Sequence, residues 1–157
     1  LAEDSWTRVR KWADEQAALE EDYRAAVAYG ESHPEVWAGT WFENEPVTRI
    51  VVAFVEGCDL AEHEAALRQI LRHPDRLLVR PAPRTVAQLE ADADVVRQRV
   101  AGLPGVVGVL PDVHEEQMQV QVIVHFRQAT PELLRRVREL TSPIPVVVQE
   151  LEPFEDL

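Results

Sequence analysis

Cys58 is the only cysteine in the chain, and it stands directly before Asp59 with His63 close behind. A thiol at the start of a helix has its thiolate favoured by the helix dipole, so this trio is the arrangement closest to a nucleophile with its base. Two features count against an enzyme that depends on Cys58 and His63. Asp59 adds a negative charge that raises the thiol pKa, and no Asn or further acid is placed by the sequence to orient the imidazole. The expected role of Cys58 is a small residue packed at a strand-to-helix turn. A catalytic residue is therefore expected nowhere in the chain. Ser5, Ser32 and Ser142 lie at a helix start and in turns, without the glycine-flanked elbow of a nucleophilic serine.

Metal and cofactor chemistry is equally poorly supplied. The histidines, His33, His63, His73, His114 and His125, form no i, i+4 pair or other compact ligand spacing, and one cysteine cannot make a zinc cluster or a disulfide. His114 beside Asp112, Glu115 and Glu116 offers at most weak oxygen-rich binding of a hard cation, and a solvated hairpin loop is preferred. The six glycines make no phosphate-cradling loop, so no cofactor is expected. The acidic residues are abundant but nothing in the sequence puts two of them in contrasting environments, as acid–base catalysis requires.

The aromatic pair Trp37 and Trp41 carries a different kind of chemistry. Four residues apart on one strand, they are predicted to share a face, with Gly39 between them leaving room for a close approach. An indole joins large apolar area to one donor, so Trp37, Gly39 and Trp41 are candidate partner-binding residues, with core packing as the competing role.

These residues need elements to hold them. Residues 4–29 contain neither proline nor a glycine and are rich in Ala, Glu, Gln and Arg, which predicts one long helix ended by Gly30. Its stripe is Trp12, Leu19, Tyr23 and Val27, with Trp6 and Val9 off that line. A hairpin is predicted with strands near 36–42 and 48–55. Asp59 and Glu62 have capping-box spacing and open a helix over 60–72, which His73 and Pro74 stop before a short strand at 77–79. Thr85 and Gln88 cap a helix over 86–101. A strand at 106–110 follows, then a polar loop and a strand at 118–126 with Met118, Val120, Val122, Val124 and Phe126 on one side. Thr130 followed by Pro131 opens a last helix, and a strand at 146–148 precedes an acidic tail.

Residues 37–80 and 106–150 thus repeat the order strand, strand, helix, strand. The predicted fold class is α+β: a long N-terminal helix over residues 1–30, then a duplicated domain over 31–157. That domain consists of two ββαβ-like, ferredoxin-like units joined by a helix, sharing one antiparallel-rich sheet with helices on one face.

The chain has 157 residues and a formal net charge of −12, with 28 acidic and 16 basic residues. It is long enough to bury a core and apolar enough, at 46%, to fold. Its charge repels a phosphate backbone and no basic patch is legible, so nucleic acid is not an expected partner. No apolar run has the length of a membrane span. The first residue, Leu1, is not methionine, which is expected of a processed or excised chain.

Tyr29-Gly30, the segment Trp37-Ala38-Gly39-Thr40-Trp41, the strand Ile50-Val51-Val52-Ala53-Phe54 and the helix–strand run at 67–80 resemble propeptide regions of secreted bacterial serine proteases of the alpha-lytic protease and streptogrisin type. The resemblance covers residues 29–150. It implies a non-catalytic domain that binds a protease, assists its folding and inhibits it, in the cell envelope or outside the cell rather than in the cytoplasm. No protease domain follows Leu157 here, and the acidic tail departs from one that fills an apolar cleft. The leading expectation is a non-enzymatic domain that binds a protein or peptide, with self-association left open. A small-molecule sensory domain with a pocket beside the N-terminal helix is the alternative.

Overall fold

A computed structural model describes residues 4–113 and 118–152. The predicted fold class holds: an N-terminal helical run is followed by two ββαβ-like units joined by a helix. The helical run is divided at Leu19 into α1 (Ser5–Ala18) and α2 (Glu20–Glu31). Leu19 leaves helical geometry at φ −100°, ψ 6°, and its side chain is buried in the core. Among the described residues, no helix is long and apolar enough to cross a membrane.

The first unit continues with β1 (Trp37–Glu43), β2 (Arg49–Val55), α3 (Leu60–Ile70) and, after a short 3-10 turn, β3 (Leu77–Ala82). The second has α4 (Val86–Val100), β4 (Val106–Pro111), β5 (Val120–Val124), α5 (Pro131–Thr141) and β6 (Val146–Glu150). By its contacts the chain divides into compact units Leu1–Val86 and Ala87–Leu157, so α1 and α2 fall in the first. Each unit builds its own three-stranded sheet, ordered β1-β2-β3 and β4-β5-β6, where one shared sheet was expected. Each sheet is mixed, because the first two strands pair antiparallel and the crossover helix returns the third parallel to the second. That crossover supplies cover within the unit, which removes the need for a shared sheet.

Two of the predicted caps form. Asp59 Oδ1 accepts the Glu62 N–H at 3.1 Å, and Thr130 Oγ1 accepts the Leu133 N–H at 3.2 Å with Pro131 opening α5. In the first unit, Ile50, Val52 and Phe54 of β2 pack with Leu77 against Leu19, Ala26, Leu67 and Leu71 of the helices. Fully burying one such side chain stabilises by about 1.5–3 kcal/mol. In the second unit the central strand is Val120–Val124, shorter than predicted: Met118 (φ 46°) and Arg127 (φ 61°) turn the chain on either side. Phe126 consequently leaves the face of Val120, Val122 and Val124 and is exposed. His114, Glu115 and Glu116, and residues 153–157 of the acidic tail, lie outside the described residues.

Candidate functional site

The Asp59 cap starts α3 just after β2 and so brings His63 back over the end of that strand. The His63 ring stacks on Phe54, with centroids 4.6 Å apart and planes 13° apart, and its Nδ1 lies 2.7 Å from the Tyr29 hydroxyl. Tyr29, near the end of α2, also meets Phe54 edge-on and stacks on His33 at 4.2 Å. The His33 Nδ1 is 2.8 Å from the Tyr29 carbonyl, and since a carbonyl only accepts, that nitrogen carries the proton. The two imidazoles meet edge to face at 5.5 Å. Burial, followed by the charge of Glu62, raises the Tyr29 pKa, so the phenol keeps its proton at neutral pH, and its oxygen and His63 Nδ1 share a hydrogen bond.

Cys58 sits at the edge of this corner. Burial pushes its thiol upward, and the Asp59 charge adds to that against the opposing effect of a backbone hydrogen bond, so it is protonated at neutral pH. No hydrogen bond joins it to His63, whose Nδ1 is engaged by Tyr29. Tyr29 and His33 were not singled out together by sequence; their distance from His63 along the chain hides the corner, and only the helical spacing of Tyr29 and His33 hints at a pair. Among the described residues, no group of three or more His, Cys, Asp or Glu side chains is placed to hold a metal ion.

The tryptophans are not on one face. Trp37 pairs with Phe54 while Gly39 pairs with Ala53, so a β-bulge inserts Ala38 between them, with Gly39 at φ 125°. The bulge shifts the alternation by one residue. Trp37, Thr40 and Phe42 therefore share the helix-covered face with Phe54, Val52 and Ile50, and Trp41 takes the opposite face with Val51. Trp37 donates through Nε1 to Thr40 Oγ1 at 3.1 Å and lies so close over Gly30 that a Cβ there would be 2.3 Å from the ring. Trp37 is thus built into the unit rather than presented to a partner. Beside the N-terminal helix, Tyr23 stacks on Phe42 at 4.7 Å and donates to the Thr40 carbonyl at 3.1 Å.

The surface that sequence reasoning missed is in the second unit. A bulge at the same place, Val106 pairing with Val124 and Gly108 with Ile123, makes Gly108 and Leu110 the counterparts of Gly39 and Trp41. The face opposite Val120, Val122 and Val124 carries Gly108, Leu110, Gln121, Ile123, Val147 and Gln149. Leu110 is 55% exposed, and a Cβ added at Gly108 would meet nothing within 4 Å. On the corresponding face of the first unit, Val51 and Ala53, the counterparts of Gln121 and Ile123, are buried. One frame therefore has this face closed in one copy and open in the other. The amides alternating with valines in β5 were the available signal, read as an ordinary polar face.

The fold and these surfaces define a duplicated α+β domain with its titratable aromatic corner in one copy and an open apolar sheet face in the other. In comparison with known proteins, no family model matches the chain and no curated protein is significantly similar to it.

Proposed function

We propose that the protein is a non-catalytic domain that binds an extended protein or peptide segment, added as a strand beside β4. The observation that carries this reading is the exposure of apolar side chains on an edge strand: Val107 is 48% and Leu110 55% exposed on β4, which ends its sheet and whose Val109 carbonyl accepts from Arg97 Nη2 at 3.0 Å. An edge strand offers unpaired N–H and C=O groups, and a peptide laid along it gains main-chain hydrogen bonds while alternate side chains find pockets. Ile123 and Val147 extend the apolar surface on the open face, with Gln121, whose amide donates to Asp112 Oδ2 at 2.8 Å, between Leu110 and Val147. The protonated, half-buried thiol of Cys58 supports a non-enzymatic role. The resemblance to protease propeptides adds a partner class, a secreted serine protease domain, and with it a place in the cell envelope or outside the cell.

Selection from a display library of short peptides tests the reading, with a Leu110→Asp variant as the control surface. Extended apolar sequences should be enriched, should slow hydrogen exchange of β4 amides, and should lose binding to Leu110→Asp while that variant keeps its thermal stability. Peptides that bind the variant equally well, or no enrichment at all, would refute it.

A further inference from the structure

The N-terminal half of α1 has no structural use in the first unit. No residue of α1 is buried. Among the described residues, the side-chain ties from α1 to the rest of the unit lie near its C-terminal end, where Gln16 Nε2 donates to Asn44 Oδ1 at 3.0 Å and the Glu15 carboxylate accepts from Thr48, which lowers its pKa. Trp6, Val9, Ala13 and Ala17 recur at spacings of three and four and so line one face of the helix. All four are exposed, Trp6 at 76% and Val9 at 49%. A tryptophan that exposed is uncommon, since indoles are on average well buried.

The charge along the same two turns is opposite to that of the chain. Arg8, Arg10 and Lys11 lie between Trp6 and Trp12 with no acidic residue among them, in a protein of net charge −12. None of the three forms an ion pair with a described residue. Arg10 flanks the Trp6–Val9 stripe by helical position, whereas Arg8 and Lys11 lie on the opposite side of the helix, with Lys11 one turn before Glu15, whose pKa it helps to lower. Tryptophan and arginine or lysine on one amphipathic helix make up the composition of segments that lie in the plane of a membrane surface, where the apolar stripe enters the headgroup region and the cations meet anionic lipid. The acidic remainder of the chain is repelled by such a surface, which leaves this helix end as the one that approaches it.

We infer that the N-terminal half of α1, through Trp6 and Val9 with Arg8, Arg10 and Lys11, docks peripherally on an anionic lipid bilayer. The inference stands independently of the peptide-binding reading, since it uses a different element. Flotation of the whole chain with phosphatidylcholine vesicles, with and without phosphatidylserine, tests it. Binding should require the anionic lipid, weaken as salt is raised, and fall about a hundred-fold when Arg8, Arg10 and Lys11 are all replaced by alanine. A Trp6→Ala/Val9→Ala variant should also lose binding. All these side chains are exposed, and circular dichroism with a thermal melt verifies that each variant folds like the parent. Absence of binding to anionic vesicles at low salt, or binding that the triple replacement leaves unchanged, overturns the inference. Concentration-dependent self-association that Trp6→Ala/Val9→Ala abolishes, with no vesicle binding, also overturns it and assigns the stripe to a second copy of the chain.

Discussion

Replacing the buried charge of Asp22 should loosen the first unit. Its carboxylate is buried, and it reaches from α2 to the chain leaving α3: Oδ1 accepts the Arg72 N–H at 2.9 Å, Oδ2 accepts the His73 N–H at 2.8 Å, and the His73 Nδ1 lies 3.1 Å away. Burial pushes the carboxyl pKa up, but the two backbone hydrogen bonds and then the hydrogen bond and charge of His73 outweigh it and hold the pKa below its ordinary value of 3.8. A hydrogen bond to a charged acceptor contributes about 1.5–3 kcal/mol. Arg72 and His73 are themselves exposed, so water replaces part of what Asp22→Ala removes, and the net loss should be about 2–4 kcal/mol at neutral pH. Asp22→Asn keeps one acceptor oxygen and should lose about half of that. The pH dependence has a definite sign. A carboxyl with a folded-state pKa below its unfolded value stabilises fully above the unfolded value and loses that contribution as pH falls through the folded one. Urea unfolding of parent and variants, followed by tryptophan fluorescence, should therefore show a gap that is widest near neutrality and narrows below pH 3.8. An Asp22→Ala gap under about 1 kcal/mol at neutral pH, or one that stays constant into acid, would refute the assignment of the carboxylate as the tie between these elements.

One other substitution and one labelling outcome follow from the same geometry. Gly30→Ala normally gains about 1 kcal/mol in a helix, but here the new Cβ would lie 2.3 Å from the Trp37 ring, and displacing that hydrogen-bonded indole should reverse the sign to a net loss of about 1–3 kcal/mol. Urea unfolding with a change in native-state fluorescence checks it, and a variant as stable as the parent would contradict the packing. Cys58, with its pKa above the ordinary 9.0, should react with iodoacetamide at neutral pH more slowly in the folded chain than in urea; a fast reaction in the folded chain would mean an activated thiol.

What could be read from the sequence was whatever is decided within a few residues. Asp59 and the Thr130-Pro131 pair mark helix starts because capping is local, and the order of elements in both units follows from such signals. Faces were harder. The strand alternation from Trp37 to Trp41 is correct only without a bulge, and whether Gly39 relaxes into regular strand or into φ 125° depends on its pairing with β2. The number of sheets is likewise set by partners far along the chain. Gln121 and Ile123 look like an ordinary solvated face, and only their closed counterparts, Val51 and Ala53, show that the face is covered in one copy and left open in the other.

The internal repeat also separates what the frame requires from what it carries. Hydrogen bonds from Cys58 N to Val55 O and from Gln128 N to His125 O put the two turns in register, and those from His63 N to Asp59 O and from Leu134 N to Thr130 O do the same for the two helix starts. His63 therefore corresponds to Leu134, and Phe54 to Val124. The second unit has leucine and valine at these positions, with Val124 buried and Leu134 half-buried. An imidazole hydrogen-bonded to a tyrosine is thus not a demand of the fold. The Tyr29, His33 and His63 corner is a property of the first copy alone, as the open face around Leu110 is of the second. Their separation onto different copies is what a duplicated scaffold permits: each unit keeps the capped crossover helix and the bulged hairpin that hold it together, and varies at positions where the frame imposes only volume.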